Sequence, residues 1–142
     1  MGTLKGKTAI ITGGGRAVLS DGSCGSIGYG IATAYAKEGA NLVITGRNVK
    51  KLTDAKEELE EKYGIRVLPV QADISAGADN EALAESVAKQ AMDAFGRIDV
   101  LINNAQASAS GVTLADHTTE QFDLAVYSGL YATFHYMKAC YP

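Results

Sequence analysis

The chain has 142 residues, of which 46% are apolar, and its 13 basic and 16 acidic residues give a formal charge of −3. This composition excludes a disordered tail, a collagen-like repeat and a coiled coil, and it predicts one globular domain. The interspersed charges form no basic stripe for nucleic acid, and no apolar run approaches the roughly 20 residues that a membrane helix needs, so neither partner is expected.

Short apolar runs alternate along the chain with longer amphipathic segments. The predicted strands span residues 7–12, 41–45, 66–71 and 98–103, and the predicted helices span residues 27–38, 49–63, 80–95 and 119–138. This alternation is typical of βαβ units, in which parallel strands form a sheet that helices cover on both faces. We therefore predict an α/β fold of the Rossmann type, with a doubly wound parallel sheet.

Each predicted helix has an apolar stripe at steps of three and four residues, as amphipathic helices do. The stripes contain Ile27, Ile31, Ala34 and Tyr35 in the first helix, Leu52, Ala55, Leu59 and Tyr63 in the second, Leu83, Val87, Ala91 and Ala94 in the third, and Phe122, Val126, Leu130, Phe134 and Met137 in the fourth. Gly39, Gly64 and Gly96 follow the first three helices and predict their ends.

The predicted sheet has fewer strands than a doubly wound sheet usually contains. The usual strand order is 3-2-1-4-5-6, and these strands build only 3-2-1-4. The fourth strand would then be an open apolar edge, which proteins normally pair or cover. We therefore expect residues 1–142 to be the N-terminal portion of a longer protein. The alternative is a naturally short domain whose edge is covered by its fourth helix or by a partner chain.

Glycines are concentrated between the first strand and the first helix. Gly13, Gly14 and Gly15 come directly after the strand, and Gly28 and Gly30 lie at the start of the helix. Glycines at this point let the main chain approach a diphosphate, whose charge is then held by N–H groups at the helix start. This placement predicts a nucleotide-binding site.

Together with two later stretches, the glycine cluster resembles the short-chain dehydrogenase/reductase family over essentially the whole chain. The glycine cluster contributes Thr12-Gly13 and the later Gly28. The two later stretches are Asp73-Ile74 after the third strand and Asn103-Asn104-Ala105 after the fourth. The resemblance implies a nicotinamide cofactor, with Gly13, Ser26, Ile27 and Gly28 around its diphosphate, Asp73 and Ile74 at the adenine, and Asn104 and Ala105 on the ribose side. Taken singly, Asp73 could equally prepare the next helix, and the asparagines could be turn formers.

The resemblance also implies a function for the full-length protein. Such proteins interconvert a carbonyl and an alcohol on a small-molecule substrate. The fourth helix would pack against a neighbouring subunit, so that a dimer or tetramer is expected.

The glycine-rich loop departs from the family pattern. The step from Gly13 to Gly28 is 15 residues where the family has six, and Ser26 stands in place of the family's middle glycine. The added residues are small and polar. Arg16, near their start, has two interpretations, as a phosphate contact or as a solvated side chain.

Two further departures lie on the catalytic side. Gln106 replaces the glycine that follows Asn-Asn-Ala in the family, and Gly129 stands where an asparagine usually supports a proton relay. The residues from Ser26 to Ala32 are also similar to the enoyl-thioester reductases, a branch with a longer loop and no such asparagine. That branch is the alternative enzyme, although it usually lacks the Asn-Asn-Ala stretch.

The residues after the second strand bear on the choice of cofactor. An acidic residue there would hold the ribose diol of NAD, but this chain has Gly46 followed by Arg47. A guanidinium can form a charge-assisted pair with a 2′-phosphate, so NADP(H) is favoured over NAD(H). The alternative is that Arg47 is a solvated residue at the start of the second helix.

No catalytic residue is expected within these 142 residues. The family's proton donor is a tyrosine four residues before a lysine, and each of the seven tyrosines lacks a lysine at that spacing. The chain is therefore expected to be inactive alone, and a non-catalytic nucleotide-binding module remains the third alternative. The N-terminus has no apolar core followed by a cleavage site, which favours a cytoplasmic protein, and Cys24 and Cys140 match neither a disulfide framework nor a zinc spacing, which favours reduced thiols.

Overall fold

The sheet is short and entirely parallel. Over the residues that the structure describes, 2–75 and 77–142, the computed structural model contains four strands in the order β3-β2-β1-β4. The strands are β1 (Thr8–Thr12), β2 (Asn41–Gly46), β3 (Val67–Gln71) and β4 (Val100–Ile102). The predicted α/β fold and its strand order are confirmed.

The fourth strand is half as long as predicted, and side chains bind main-chain N–H groups at both of its ends. At its start, the Asp99 carboxylate accepts hydrogen bonds from the Thr8 N–H at 2.9 Å and from Arg97 at 2.6 and 2.7 Å. These bonds, those from Arg97 above all, lower the pKa of Asp99 to about 2. At its other end, the Asn104 N–H donates to the Thr12 hydroxyl at 3.0 Å.

The helices follow the predicted order, with one difference in the last. They are α1 (Ile27–Lys37), α2 (Val49–Tyr63), α3 (Asn80–Phe95), α4 (Thr119–Val126) and α5 (Ala132–Cys140). Residues Tyr127–Tyr131 join α4 to α5 as one π-helical turn, so the single helix predicted over 119–138 is interrupted. Within the described ranges, none of these helices has both the length and the apolar character needed to cross a bilayer.

Small residues on α1 let it lie close to the sheet. The buried positions are Gly28, Tyr29, Ala32 and Ala36, whereas Ile27 is 76% exposed. Of the predicted stripe, Ile31 and Tyr35 are partly buried against the core, whereas Ile27 and Ala34 are exposed, so the stripe only partly coincides with the buried face. A helix that must approach a sheet closely buries its smallest side chains, and periodicity of large apolar residues does not reveal that face.

Two cores lie on opposite sides of the sheet. Ala9 and Ile11 of β1 face one side, where α1 and α2 cover them with residues such as Leu52 and Leu59. Ile10 faces the other side and packs with residues of α3 and α5, including Val87. The alternation along β1 places this strand at the centre of both cores, as a doubly wound sheet requires.

An apolar face of α4 and α5 is exposed. Phe122, Leu130, Phe134 and Met137 are 53–67% exposed, while the buried positions of these segments are Ser128, Ala132 and Tyr136. Since the predicted fourth-helix stripe lies on this surface, it does not contribute to the core of the described chain. Scattered apolar residues are normal on surfaces, whereas several large ones on one face of neighbouring helices are unusual.

Candidate functional site

A cleft of about 290 Å³ lies at the carboxyl end of the sheet, where open α/β sheets bind ligands. A second cavity of about 250 Å³ adjoins it and shares Gly13, Gly46 and Arg47. Of the predicted site residues, the first is lined by Gly13, Arg47, Asp73, Ile74, Asn104 and Ala105, and the second adds Ser26. Ile27 and Gly28 line neither cavity; they lie in the first turn of α1, where Gly28 packs against Gly13.

Close contact between Gly13 and Gly28 brings the start of α1 against the end of β1. A Cβ atom on Gly28 would lie 2.0 Å from the Gly13 carbonyl oxygen and 2.6 Å from the Asn104 Nδ2. Gly13 has a φ of +72°, a left-handed conformation that favours glycine. Any side chain at position 28 would therefore push the helix away from the cleft.

The first turn of α1 has N–H groups available for an anion. Ser26 caps the helix, and its hydroxyl accepts a hydrogen bond from the Tyr29 N–H at 3.3 Å. The N–H groups of Ile27 and Gly28 lie in the first turn of the helix. The residues four positions before them are outside the helix, so neither N–H group has an intrahelical hydrogen-bond acceptor. Together with the helix dipole, they favour negative charge beside the cleft.

A hydroxyl that sequence reasoning missed fixes the floor of the cleft. The Thr12 hydroxyl accepts hydrogen bonds from the N–H groups of Asn104 and Ala105, each at 3.0 Å. The Asn104 side chain in turn donates to the Thr12 carbonyl at 3.0 Å. These bonds hold the ends of β1 and β4 together. The threonine that begins the Thr-Gly pair was the available sequence signal.

Arg47 and Asp73 lie at the rim of the same cleft. Arg47 follows β2 directly and is exposed, and its carbonyl accepts a hydrogen bond from the Gln71 side chain at 3.1 Å. The Asp73 Oδ1 accepts from the Ser75 hydroxyl at 2.6 Å and from the Ser75 N–H at 2.9 Å. These bonds, with the attraction of Arg47, lower the pKa of Asp73, so it is ionised at neutral pH.

The residues added to the glycine-rich loop form a small hairpin. Val18 and Cys24 pair as an antiparallel bridge, and the Gly25 N–H donates to the Ala17 carbonyl at 2.7 Å. Arg16, just before the hairpin, pairs with Glu58 of α2, with 2.6 Å between Nε and Oε2. The structure therefore gives Arg16 a third role, an ion pair with Glu58, in place of the phosphate contact or the solvated side chain considered from the sequence.

The two departures on the catalytic side contact each other. Gly129 lies in the π-helical turn, and a Cβ atom there would lie 3.7 Å from the Gln106 Nε2. The neighbouring Ser128 hydroxyl exchanges hydrogen bonds of 2.9 Å with the N–H and carbonyl of Ala107. A Cβ atom at position 129 would therefore make ordinary van der Waals contact with the Gln106 side chain.

The tyrosines of the last helical segments pack rather than face the cleft. Tyr136 is buried, and burial raises its pKa to about 12. The rings of Tyr127 and Tyr131 lie 5.2 Å apart. The raised pKa of Tyr136 does not suit a proton donor that works near neutral pH.

Known proteins share this arrangement. The sequence model of the short chain dehydrogenase family matches residues 7–142. The chain is 60% identical over 142 residues to 12alpha-hydroxysteroid dehydrogenase of a Clostridium species, covering all of this chain and 52% of that protein. It is 29% identical to L-sorbose reductase of Gluconobacter frateurii, solved with NADPH and L-sorbose, with a TM-score of 0.82 over 99% of this chain and 48% of that one.

A further solved structure is also similar. Alcohol dehydrogenase of Thermococcus sibiricus, complexed with 5-hydroxy-NADP, is 28% identical with a TM-score of 0.80 over 94% of this chain and 51% of that one. The chain spans about half the length of the curated relatives it matches. With the family model covering nearly every residue and the parallel sheet in the expected order, the chain belongs to the short-chain dehydrogenase family.

Proposed function

We propose that this chain holds the cofactor of an NADP(H)-dependent oxidoreductase that interconverts an alcohol and a carbonyl. The observation that carries this proposal is the cleft at the carboxyl end of the sheet. The contact between Gly13 and Gly28, the start of α1 and the exposed Arg47 all lie at this cleft. Two adjoining cavities suit an elongated dinucleotide better than a compact ligand.

The diphosphate is assigned to the start of α1. Gly13 lets the end of β1 pack against Asn104 and Ala105, where a Cβ atom would lie 2.9 Å from the Asn104 Nδ2, and the N–H groups of Ile27 and Gly28 supply donors. Ser26 lines the adjoining cavity while capping the helix. This donor set fits two phosphate groups, which helix starts of this kind bind.

The 2′-phosphate is assigned to Arg47. Arg47 lines both cavities, and no acidic side chain follows β2 at this point. Arginine forms bidentate, charge-assisted bonds to phosphate, whereas a ribose diol needs an acceptor. NADP(H) is therefore favoured over NAD(H).

Asp73 and Ile74 are assigned to the adenine. Both line the cleft on the side of Arg47, and the bonds from Ser75 hold the Asp73 carboxylate in a fixed orientation. A fixed carboxylate can accept a hydrogen bond from the adenine amino group, while Ile74 supplies an apolar surface for the ring.

Asn104 and Ala105 are assigned to the ribose next to the nicotinamide. Their main chain is fixed by Thr12, so the floor of the cleft is rigid before a ligand arrives. When bound, the nicotinamide supplies the hydride chemistry. Gln106, which follows them, lines the same cleft and determines how much room is left at its end.

The proton donor and most of the substrate site are proposed to lie outside these residues. The tyrosine–lysine spacing of the family is absent from the sequence, so the chain alone is expected to bind cofactor without turnover. A steroid alcohol is the first substrate to test, since the Clostridium relative is named for one. A cytoplasmic location is favoured because Cys24 and Cys140 are free thiols.

Titration with NADPH tests the proposal directly. Because the chain has no tryptophan, nucleotide fluorescence can be followed without an indole background. We expect saturable enhancement of the emission, with a dissociation constant roughly between 1 μM and 1 mM, the usual range for such ligands. Absence of saturation, together with an unchanged melting temperature at high NADPH, would refute the cofactor assignment.

The exposed apolar face of α4 and α5 is proposed to pack against a second copy of the protein. Phe134 lies within this face and is 54% exposed. We expect Phe134→Asp to shift the protein toward monomer in light-scattering measurements, because a carboxylate cannot be buried unpaired. Leu114→Asp is the matched control, since Leu114 is 93% exposed and lies outside the face. A wild-type monomer would contradict the proposal.

A further inference from the structure

The carboxylate of Glu58, on the outer side of α1 and α2, contacts both ends of the long loop. Its Oε2 accepts from the Arg16 Nε at 2.6 Å, and its Oε1 accepts from the Tyr29 hydroxyl. Arg16 precedes the hairpin, and Tyr29 lies in the first turn of α1 after it. One side chain of α2 therefore ties together two points that are separated by the added residues.

Main-chain bonds strengthen each of these attachments. The Arg16 N–H donates to the Lys51 carbonyl of α2 at 2.8 Å, so this end of the loop is held by main chain and side chain alike. The Tyr29 N–H donates to Ser26, which caps the helix that is assigned to the diphosphate. Moving Tyr29 would therefore also move the cap.

The charges and burial around Glu58 stabilise its contacts with Arg16 and Tyr29. Tyr29 is only 4% exposed, and burial and the bond to Glu58 raise its pKa, which keeps its hydroxyl protonated as a donor. The hydrogen bond from Tyr29 lowers the pKa of Glu58, and the pairing with Arg16 lowers it further. Lys62 also approaches, with 3.4 Å between Nζ and Oε1. The carboxylate is ionised at neutral pH.

We propose that Glu58 is a positioning residue for the cofactor diphosphate, since its two oxygens fix the entry and the exit of the long loop against α2. This inference rests on the proposed NADP(H) function. Nine added residues would otherwise give the loop many conformations, and each would have to be given up on binding. With both ends of the loop fixed, the hairpin can change conformation while Gly13, Ser26 and the first turn of α1 keep their positions.

Glu58→Gln tests this role with little change in shape. An amide loses the negative charge that attracts Arg16, and its NH2 group cannot accept the hydrogen bond that the Tyr29 hydroxyl donates, so both attachments are weakened. We expect the dissociation constant for NADPH to rise on the order of tenfold, because loop order is lost before binding. Glu61→Gln, the same change at an exposed position of α2, is expected to leave NADPH binding unchanged.

A second ligand separates positioning from general destabilisation. Adenosine 2′-monophosphate has the adenine and the 2′-phosphate but no diphosphate. In competition with NADPH, its affinity for the Glu58→Gln protein should equal its affinity for the wild-type chain. Tyr29→Phe, which removes one of the two attachments, should weaken NADPH binding in the same selective way. The double variant Arg16→Ala/Glu58→Gln should lose little more NADPH affinity than Glu58→Gln alone, since both substitutions remove the same ion pair.

Several results would overturn the inference. Unchanged NADPH affinity in Glu58→Gln, or equal losses for NADPH and adenosine 2′-monophosphate, would remove the positioning role. Tighter NADPH binding in Glu58→Gln would instead identify Glu58 as a competitor that keeps Arg16 from a phosphate. A wild-type chain that fails to bind NADPH would refute the proposed function itself, whereas the results above concern only Glu58.

Discussion

We expect Gly28→Ala to abolish NADPH binding and to destabilise the fold. The new Cβ atom would lie 2.0 Å from the Gly13 carbonyl oxygen, which is main chain and cannot rotate away. Relief requires α1 to move from the end of β1, which costs about 3 kcal/mol or more of folding free energy. Chemical denaturation and NADPH titration measure the two effects.

Gly30→Ala provides the matched control in the same helix. A Cβ atom there would lie 3.4 Å from the Cys24 sulfur, at the edge of ordinary contact. Since alanine stabilises helix interiors by about 0.5–1 kcal/mol relative to glycine, we expect unchanged or slightly raised stability and retained binding. If both substitutions had the same effect, close contact at Gly28 would not explain the result.

Arg47→Ala is expected to weaken NADPH binding by roughly 10- to 100-fold, the free energy of a charge-assisted bond to phosphate. NADH lacks the 2′-phosphate, so its affinity should change by no more than about twofold. The two dissociation constants, measured on the same protein preparation, give the change in selectivity. Raised salt should reduce the preference for NADPH, because Arg47 is exposed and its charge is screened.

Lys50→Ala controls for the loss of a positive charge near the second helix. Lys50 is three residues further along the chain and pairs with Asp54 at 2.9 Å. We expect this substitution to leave both nucleotide affinities unchanged. Equal losses of NADPH and NADH in Arg47→Ala would show instead that Arg47 holds a part common to both cofactors.

The sheet and the positions of its ligand-facing ends could be predicted from the sequence because they depend on short-range patterns. Continuous apolar runs identified β1 and β2, and glycines identified the ends of α2 and α3, where Gly64 and Gly96 adopt left-handed φ values of 67° and 74°. Parallel strands end at one edge of a sheet, so the residues that follow them lie close together. The cleft between Gly13, Arg47, Asp73 and Asn104 agrees with that rule.

Features that depend on distant partners could not be predicted. Glu58 is one of several glutamates on α2, and nothing in its local sequence distinguishes it from Glu57 or Glu61. Its role depends on where the long loop returns to the fold. Likewise, the exposure of Ile27 follows from how closely α1 approaches β1. That approach is possible because Gly28 has no side chain, and the spacing of apolar residues in the helix does not reveal it.

The central position of β1 has a consequence for the order in which the molecule is assembled. Its pairing with β4 joins Thr8 to Asp99, 91 residues apart, so the part of the cleft that follows β4 comes after the parts that follow β1, β2 and β3 along the chain. Pairings between such distant segments form slowly, because a large loop must first be closed. A dinucleotide that bridges Arg47 and Asn104 would favour the closed arrangement by mass action, and the nucleotide would thereby assist maturation of the protein as well as its chemistry.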